Sequence, residues 1–307
     1  MPNDGVTGAA PFGLKTELDR IATEIDRHFD LLLALTDDPR RRLYEAMRHA
    51  AIGGGKRLRP LLVRAACDLF HVDRAASSRV GLAIECIHVY SLIHDDLPCM
   101  DDDDLRRGKP TVHRAFDEAT AVLAGDALQA LAFEVIADEA THADPFVRGE
   151  LALALARAAG AGGMAGGQAM DLAAENAAAP FDLATVTRLQ QLKTGALISF
   201  CLEAGAIMGR VPPEGRGRLR AYARDIGLAF QIADDLIDAE GDAAVAGKAV
   251  GKDAAAGKAT FVSLLGLDRA RAQATLLVDQ AIDHLQVYGA EAALLRAIAR
   301  YIVERES

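Results

Sequence analysis

Leu14, Leu18, Ile21, Ile25, Phe29 and Leu32 are spaced by 4, 3, 4, 4 and 3 positions, which draws one apolar stripe along a helix. The same period predicts helices at about 41–52, 60–70, 77–97, 118–139, 146–172, 182–209, 216–240 and 260–287, with a last one near 290–304. Alternating apolar and polar runs of strand length are nearly absent, and Ala and Leu, both strong helix formers, dominate. Breakers separate the periodic runs: Asp38-Pro39, Gly53-Gly54-Gly55, Gly108-Lys109-Pro110, Asp144-Pro145, Pro212-Pro213 and a Gly/Lys stretch at 247–258. Residues 1–13, with Pro2, Gly5, Gly8, Pro11 and Gly13, read as a loose leader. No composition shift marks a linker. The expectation is therefore an all-α fold, with the leader 1–13 followed by a single helical domain, 14–307, around a deep interior.

Composition narrows the classes. At 307 residues and 51% hydrophobic, the chain can bury a large core, which excludes bulk disorder. Thirty-four basic against 44 acidic residues leave a net charge of −10, which argues against a nucleic-acid partner. No stretch of about 18 apolar residues runs free of charge, so no membrane span is expected. The longest candidates are interrupted by Arg157, Asp171 and Glu203. Cys67, Cys86, Cys99 and Cys201 show no CxxC spacing, and no secretory pattern opens the chain. They read as reduced thiols of a cytoplasmic protein.

Two acidic clusters carry the chemistry. Asp95-Asp96-Leu97-Pro98-Cys99-Met100-Asp101-Asp102-Asp103-Asp104 follows an apolar helix and sets six carboxylates within ten positions. They repel one another unless something neutralises them. The second cluster is Gln231-Ile232-Ala233-Asp234-Asp235-Leu236-Ile237-Asp238. Asp234 and Asp238 share a helix face, with Gln231 on the same side and apolar residues around them. Carboxylates facing a core need a partner, and Mg²⁺ suits them because it takes one or two carboxylates together with waters and substrate phosphate oxygens. The expected ligand is a phosphorylated molecule shared between two acidic walls. On a straight helix Asp95 aligns better with Asp102 than with Asp101, and Pro98 disfavours a regular turn, so spacing leaves the second ligand open.

A basic cluster complements them. Gly53-Gly54-Gly55 leads into a helix and is followed at once by Lys56, Arg57 and Arg59, a combination that suits a diphosphate. The Walker spacing is absent, so a nucleotide triphosphate fold is not read. Arg106-Arg107 follows the aspartates, Lys193-Thr194 interrupts an apolar helix, and Lys248 and Lys258 lie in a glycine-rich stretch read as a lid over phosphate. His88 lies two turns before Asp95 on the same face, roughly 10 Å away. Gly162-Gly163 and Gly166-Gly167 permit close helix packing or a kink, with Gln168 and Asp171 as cavity-lining candidates.

These motifs together, in order and over roughly residues 40 to 304, resemble the isoprenyl diphosphate synthases, and the Pro98-Cys99 insertion resembles their bacterial short-chain branch. The resemblance implies the all-α fold of isoprenoid synthases around a deep central cavity, a homodimer, and isopentenyl and allylic diphosphates as substrates. It implies that Asp95 and Asp101 hold Mg²⁺ with Asp96 in support, and that Asp234, Asp235 and Asp238 hold a third ion, with Mn²⁺ as an alternative metal. It assigns Arg106, Lys193, Thr194, Gln231, Lys248 and Lys258 to the allylic diphosphate, with Lys252 competing for the place of Lys248. Lys56, Arg59, His88 and Arg107 are assigned to isopentenyl diphosphate. Tyr90 and Ser91, five and four positions before the first aspartate, are assigned to product length, with Tyr90 as the floor that stops growth at C15 and with C20 as the alternative. A terpene cyclase would lack the basic cluster, and a non-catalytic subunit would lose an acidic one; the chain keeps both.

Overall fold

The computed structural model describes residues 13–175, 177, 179–240 and 259–304. The helices in chain order are α1 (Leu14–Leu32), α2 (Arg41–Ala51), α3 (Leu58–Asp68), α4 (Arg74–Asp95), the short α5 (Val112–Ala115), α6 (Glu118–Ala137), α7 (Pro145–Ala159) and α8 (Met164–Glu175). They continue as α9 (Leu183–Gln190), α10 (Ala196–Met208), α11 (Gly217–Glu240), α12 (Phe261–Leu265), α13 (Leu267–His284) and α14 (Ala293–Glu304). The fold is all-α, as the periodicity predicts.

Two helices make the centre. α4 is apolar nearly all round, buries residues from Ser77 to Ile93, and packs against α3 and α6. α10 is buried along most of its length between α3, α7 and α11. A helix without a polar face is stable in water only when others cover it. Asp73, Asp117, Asp144 and Asp182 cap α4, α6, α7 and α9 by accepting backbone N–H groups of the first turn.

Several expected boundaries are corrected. The run 146–172 is two helices, broken at Gly160–Gly163, where the apolar period continues through residues that cannot hold a helix. The run 182–209 is interrupted by a π-helical turn, Gln191–Gly195. The run 260–287 breaks at Gly266, whose φ is +81°. Leu32 is exposed and Leu33 takes its place in the core, because α1 ends there. Of the expected leader only Gly13, the N-cap of α1, falls within the described residues. α6 is the one described helix long and apolar enough to span a membrane by length and composition. It carries Asp126 and Glu134, and its Ala121, Ala124, Gly125 and Leu128 are buried.

After α4 the chain forms a small antiparallel hairpin, β1 (Leu105–Arg106) and β2 (Lys109–Pro110), with Leu105 opposite Pro110 and Arg106 opposite Lys109. Arg107 and Gly108 occupy its turn at positive φ, +53° and +74°, which matches the twist of paired strands.

Candidate active site

The first acidic cluster begins where α4 ends. Asp96 is its C-cap, and the chain then wraps back on itself: the Asp101 N–H donates to the Asp95 carbonyl at 2.8 Å and the Asp103 N–H to the Asp96 carbonyl at 3.3 Å. Pro98 thus turns the chain instead of extending the helix. Loss of water pushes Asp95 up to about 6, with the nearby negative charges of Asp101 and Asp96 adding to the shift and Lys193 and Arg106 opposing it. Asp102, at φ +47°, turns toward Arg114 at 3.7 Å. Local backbone geometry therefore sets Asp101, not Asp102, against Asp95.

Asp96 is buried and already paired. The Arg106 Nε donates to both its oxygens at 2.7 and 2.9 Å, and Nη2 stands 2.6 Å from Oδ1. The hairpin sends Arg106 back to Asp96, while the neighbouring Arg107 guanidinium rests on Gly54 and Gly55. A Cβ on Gly55 would stand 2.7 Å from that guanidinium and displace it, and the residue's φ of +86° strains any side chain there.

The glycine turn delivers two of its three cations outward. Arg57 is 2% exposed and points inward, donating to Glu85 at 2.7 Å and Asp26 at 2.6 Å. Lys56 is exposed, and Arg59 lines a cavity of about 410 Å³. Within that cavity lie His88, Tyr90, Ser91, His94 and Asp95 of α4, Gln168 and Leu172 of α8, and Lys193 and Thr194 of the π-turn. The Arg59 Nε and both polar atoms of the Gln168 amide are buried with no hydrogen-bond partner in the protein. Loss of water and the cations Arg59, Arg107, Arg106 and Arg57 hold His88 well below the usual histidine range, so it is neutral at pH 7. An orphaned guanidinium nitrogen and a crowd of cations call for an anion.

Lys193 joins this cavity to a second of about 110 Å³, which Asp171, Gln231, Asp235 and Thr260 also line. Its Nζ donates to Asp171 at 2.6 Å. The π-turn aims Lys193 at the cavity, and α8 approaches it closely: a Cβ on Gly167 would lie 2.2 Å from the Lys193 backbone nitrogen. From α11, Gln231 accepts from the Thr194 hydroxyl at 3.2 Å and donates to Asp235 at 3.0 Å. Asp235 is buried and accepts the Phe261 N–H at 2.8 Å, tying α11 to the start of α12. Asp234 and Asp238 are half-buried. Lys248, Lys252 and Lys258 lie outside the described residues.

The donor set suits a divalent cation that takes part of its shell from water and phosphate. Among the described residues no three metal-ligating side chains close on one point. Asp95 lines the larger cavity and Asp235 the smaller. The rise of Asp95 to about 6 marks a carboxylate that a cation would favour. Sequence reasoning overlooked His94, which lines the cavity beside Tyr90; their i, i+4 spacing was the available signal.

A cavity between helices lined by Asp95, Arg59, His88 and Lys193 belongs to a class of enzyme acting on prenyl diphosphates, and the chain is a member of it: residues 40–297 match the polyprenyl synthetase family. It is 46% identical to the farnesyl diphosphate synthase of Escherichia coli (strain K12), covering 85% of this chain and 88% of that protein. It is 43% identical to the chloroplastic geranylgeranyl pyrophosphate synthase of Catharanthus roseus, over 87% and 74%. A crystal structure of a FPP/GFPP synthase from Zymomonas mobilis superposes with a TM-score of 0.88 at 69% identity, covering 94% of this chain and 99% of that one.

Proposed function

We propose that this chain condenses dimethylallyl and then geranyl diphosphate with isopentenyl diphosphate, head to tail, to release farnesyl diphosphate (C15) and inorganic diphosphate. The observation that carries the reading is one cavity lined together by Asp95, Lys193, Arg59 and His88. Residues 14–307 act as one catalytic unit, paired as a homodimer in the cytoplasm.

Asp95 and Asp101, with Asp96 behind them, and Asp234, Asp235 and Asp238 opposite would hold three Mg²⁺, which when bound supply positive charge to the leaving diphosphate. Lys193 and Thr194 add fixed donors to that diphosphate, with Gln231 orienting Thr194 and with Lys248 and Lys258 completing the set. Arg106 holds Asp96 in place and adds its charge nearby. Lys56, Arg59, Arg107 and neutral His88 bind the isopentenyl diphosphate and aim its double bond at the allylic carbon. The allylic C–O bond breaks, its electron pair leaves with diphosphate, the double bond attacks the cation, and the proton that is then lost passes to diphosphate. No side-chain base is needed. Leu172 and Met164 exclude water from the cation. Tyr90 closes the floor and ends growth.

The purified chain, given dimethylallyl and isopentenyl diphosphates with Mg²⁺, is expected to yield mainly C15 by chromatography, and none with the metal chelated. Failure to couple the two substrates would reject the reading. The plant relative's name supports a second reading, a C20 product, which the same chromatogram decides.

A further inference from the structure

Five groups meet where α4 packs on α6. Tyr90 and His94, one turn apart on α4, both line the cavity, and their rings stand edge to face with centroids 5.8 Å apart at 72°. The His94 Nε2–H donates to the carbonyl of Val122 on α6 at 3.1 Å, and a carbonyl can only accept, which fixes the tautomer. Nearly one turn further along α6, Gly125 leaves a notch that the imidazole fills. A Cβ there would stand 2.0 Å from Nε2 and 2.5 Å from Cδ2. One turn further again stands Gln129, whose side chain is close enough to the Tyr90 hydroxyl to favour its ionised form, against the larger effect of burial. Successive turns of α6 thus present a carbonyl, a notch and an amide to two rings of α4.

We infer that His94, seated in the notch of Gly125, is a specificity-setting spacer: it fixes how far Tyr90 stands into the prenyl cavity and thereby where chain growth stops. The inference rests on reading this cavity as the tail pocket and goes beyond it, because it places the setting of product length on α6. The imidazole has α6 on one side and the cavity on the other. Anything that fills the notch drives the ring toward the cavity and takes volume from it. Anything that removes the ring opens volume and releases Tyr90. The two changes therefore shift product length in opposite directions.

The test is the product distribution from dimethylallyl and isopentenyl diphosphates, read as ratios so that a general loss of rate does not imitate the effect. His94→Ala is expected to raise the share of products longer than C15 by about 5-fold or more, since a methylene-sized change in an apolar pocket alters selectivity by roughly 10-fold and upward. Gly125→Ala is expected to raise release of C10 by a similar factor. The double variant is expected to match His94→Ala, because the ring that the new methyl displaces is gone. Gln129→Leu, which removes the amide beside the Tyr90 hydroxyl, is expected to lengthen products. Unchanged distributions in His94→Ala and Gly125→Ala, or shifts of the same sign, would overturn the inference while a lengthening in Tyr90→Ala kept the pocket reading intact. An unchanged distribution in Tyr90→Ala would sink the pocket reading itself. Circular dichroism checks each variant. If Gly125→Ala does not fold, His94→Ala and Gln129→Leu decide, and C15 from both would overturn the spacer.

Discussion

A carboxylate withdrawn from water beside other carboxylates strains the resting protein, and Asp95 shows it. Its pKa is raised from 3.8 to about 6 because water is withdrawn and Asp101 and Asp96 stand close. The folded state therefore binds more protons than the unfolded one between those two values. Stability from this group is fully present below about pH 4 and lost as pH rises through about 6. Asp95→Asn is expected to stabilise the metal-free protein at pH 7, on the order of 1–3 kcal/mol, or a few degrees in Tm. The difference from the wild type should shrink to a small fraction by pH 4, where the folded-state carboxyl is neutral. The same substitution should lower turnover by about 100-fold or more, as removal of one charge-stabilising group does. Thermal melts in a chelator across pH 4–8, set beside kcat, check both halves. A variant less stable than the wild type at pH 7 would contradict the electrostatic account.

At the scale of elements, the site depends on joints between helices. Arg57 is the joint below the glycine turn, where Glu85 is 1% exposed and answers it at 2.7 Å. Arg57→Met leaves that carboxylate buried without its partner, so a loss of about 3–5 kcal/mol is expected, and adding Glu85→Gln should restore part of it. Differential scanning calorimetry measures both. Gly167→Ala is expected to damage activity more than stability, because its Cβ would strike the backbone that carries Lys193. Comparing kcat with Tm separates the two effects. These joints also show what a sequence reader can and cannot see. α4, α6, α7 and α9 start at aspartates that announce themselves, and the acidic and glycine-rich motifs lie contiguous in the chain. The sequence groups Arg57 with Lys56 and Arg59 in a combination that suits a diphosphate, because its partners lie 28 and 31 positions away. Gly162-Gly163 and Lys193-Thr194 signal irregularities, but the apolar period runs through both, so the full break at Gly160–Gly163 and the π-turn are not legible. His94 escaped because its seat, Gly125, belongs to another helix.

Over the whole molecule, a chain of net charge −10 attracts a doubly anionic substrate only where its cations converge. Arg59 and Arg107 gather around His88, while Lys193 stands between Asp95 on one side and Gln231 and Asp235 on the other. If the two acidic segments grip one diphosphate through shared ions, neither the metal nor the anion alone fills the site. Mg²⁺ or inorganic diphosphate given separately should then move Tm little, and the two together should raise it by about 5 °C, the shift that about 2.7 kcal/mol of linkage brings at a hundredfold excess over Kd. Asp95→Asn on α4 and Asp234→Asn on α11 should each abolish the joint shift, and the double variant should be no worse than either. Additive losses would mean that the two walls bind independently. Full retention of the shift in either single variant would remove that wall from the grip.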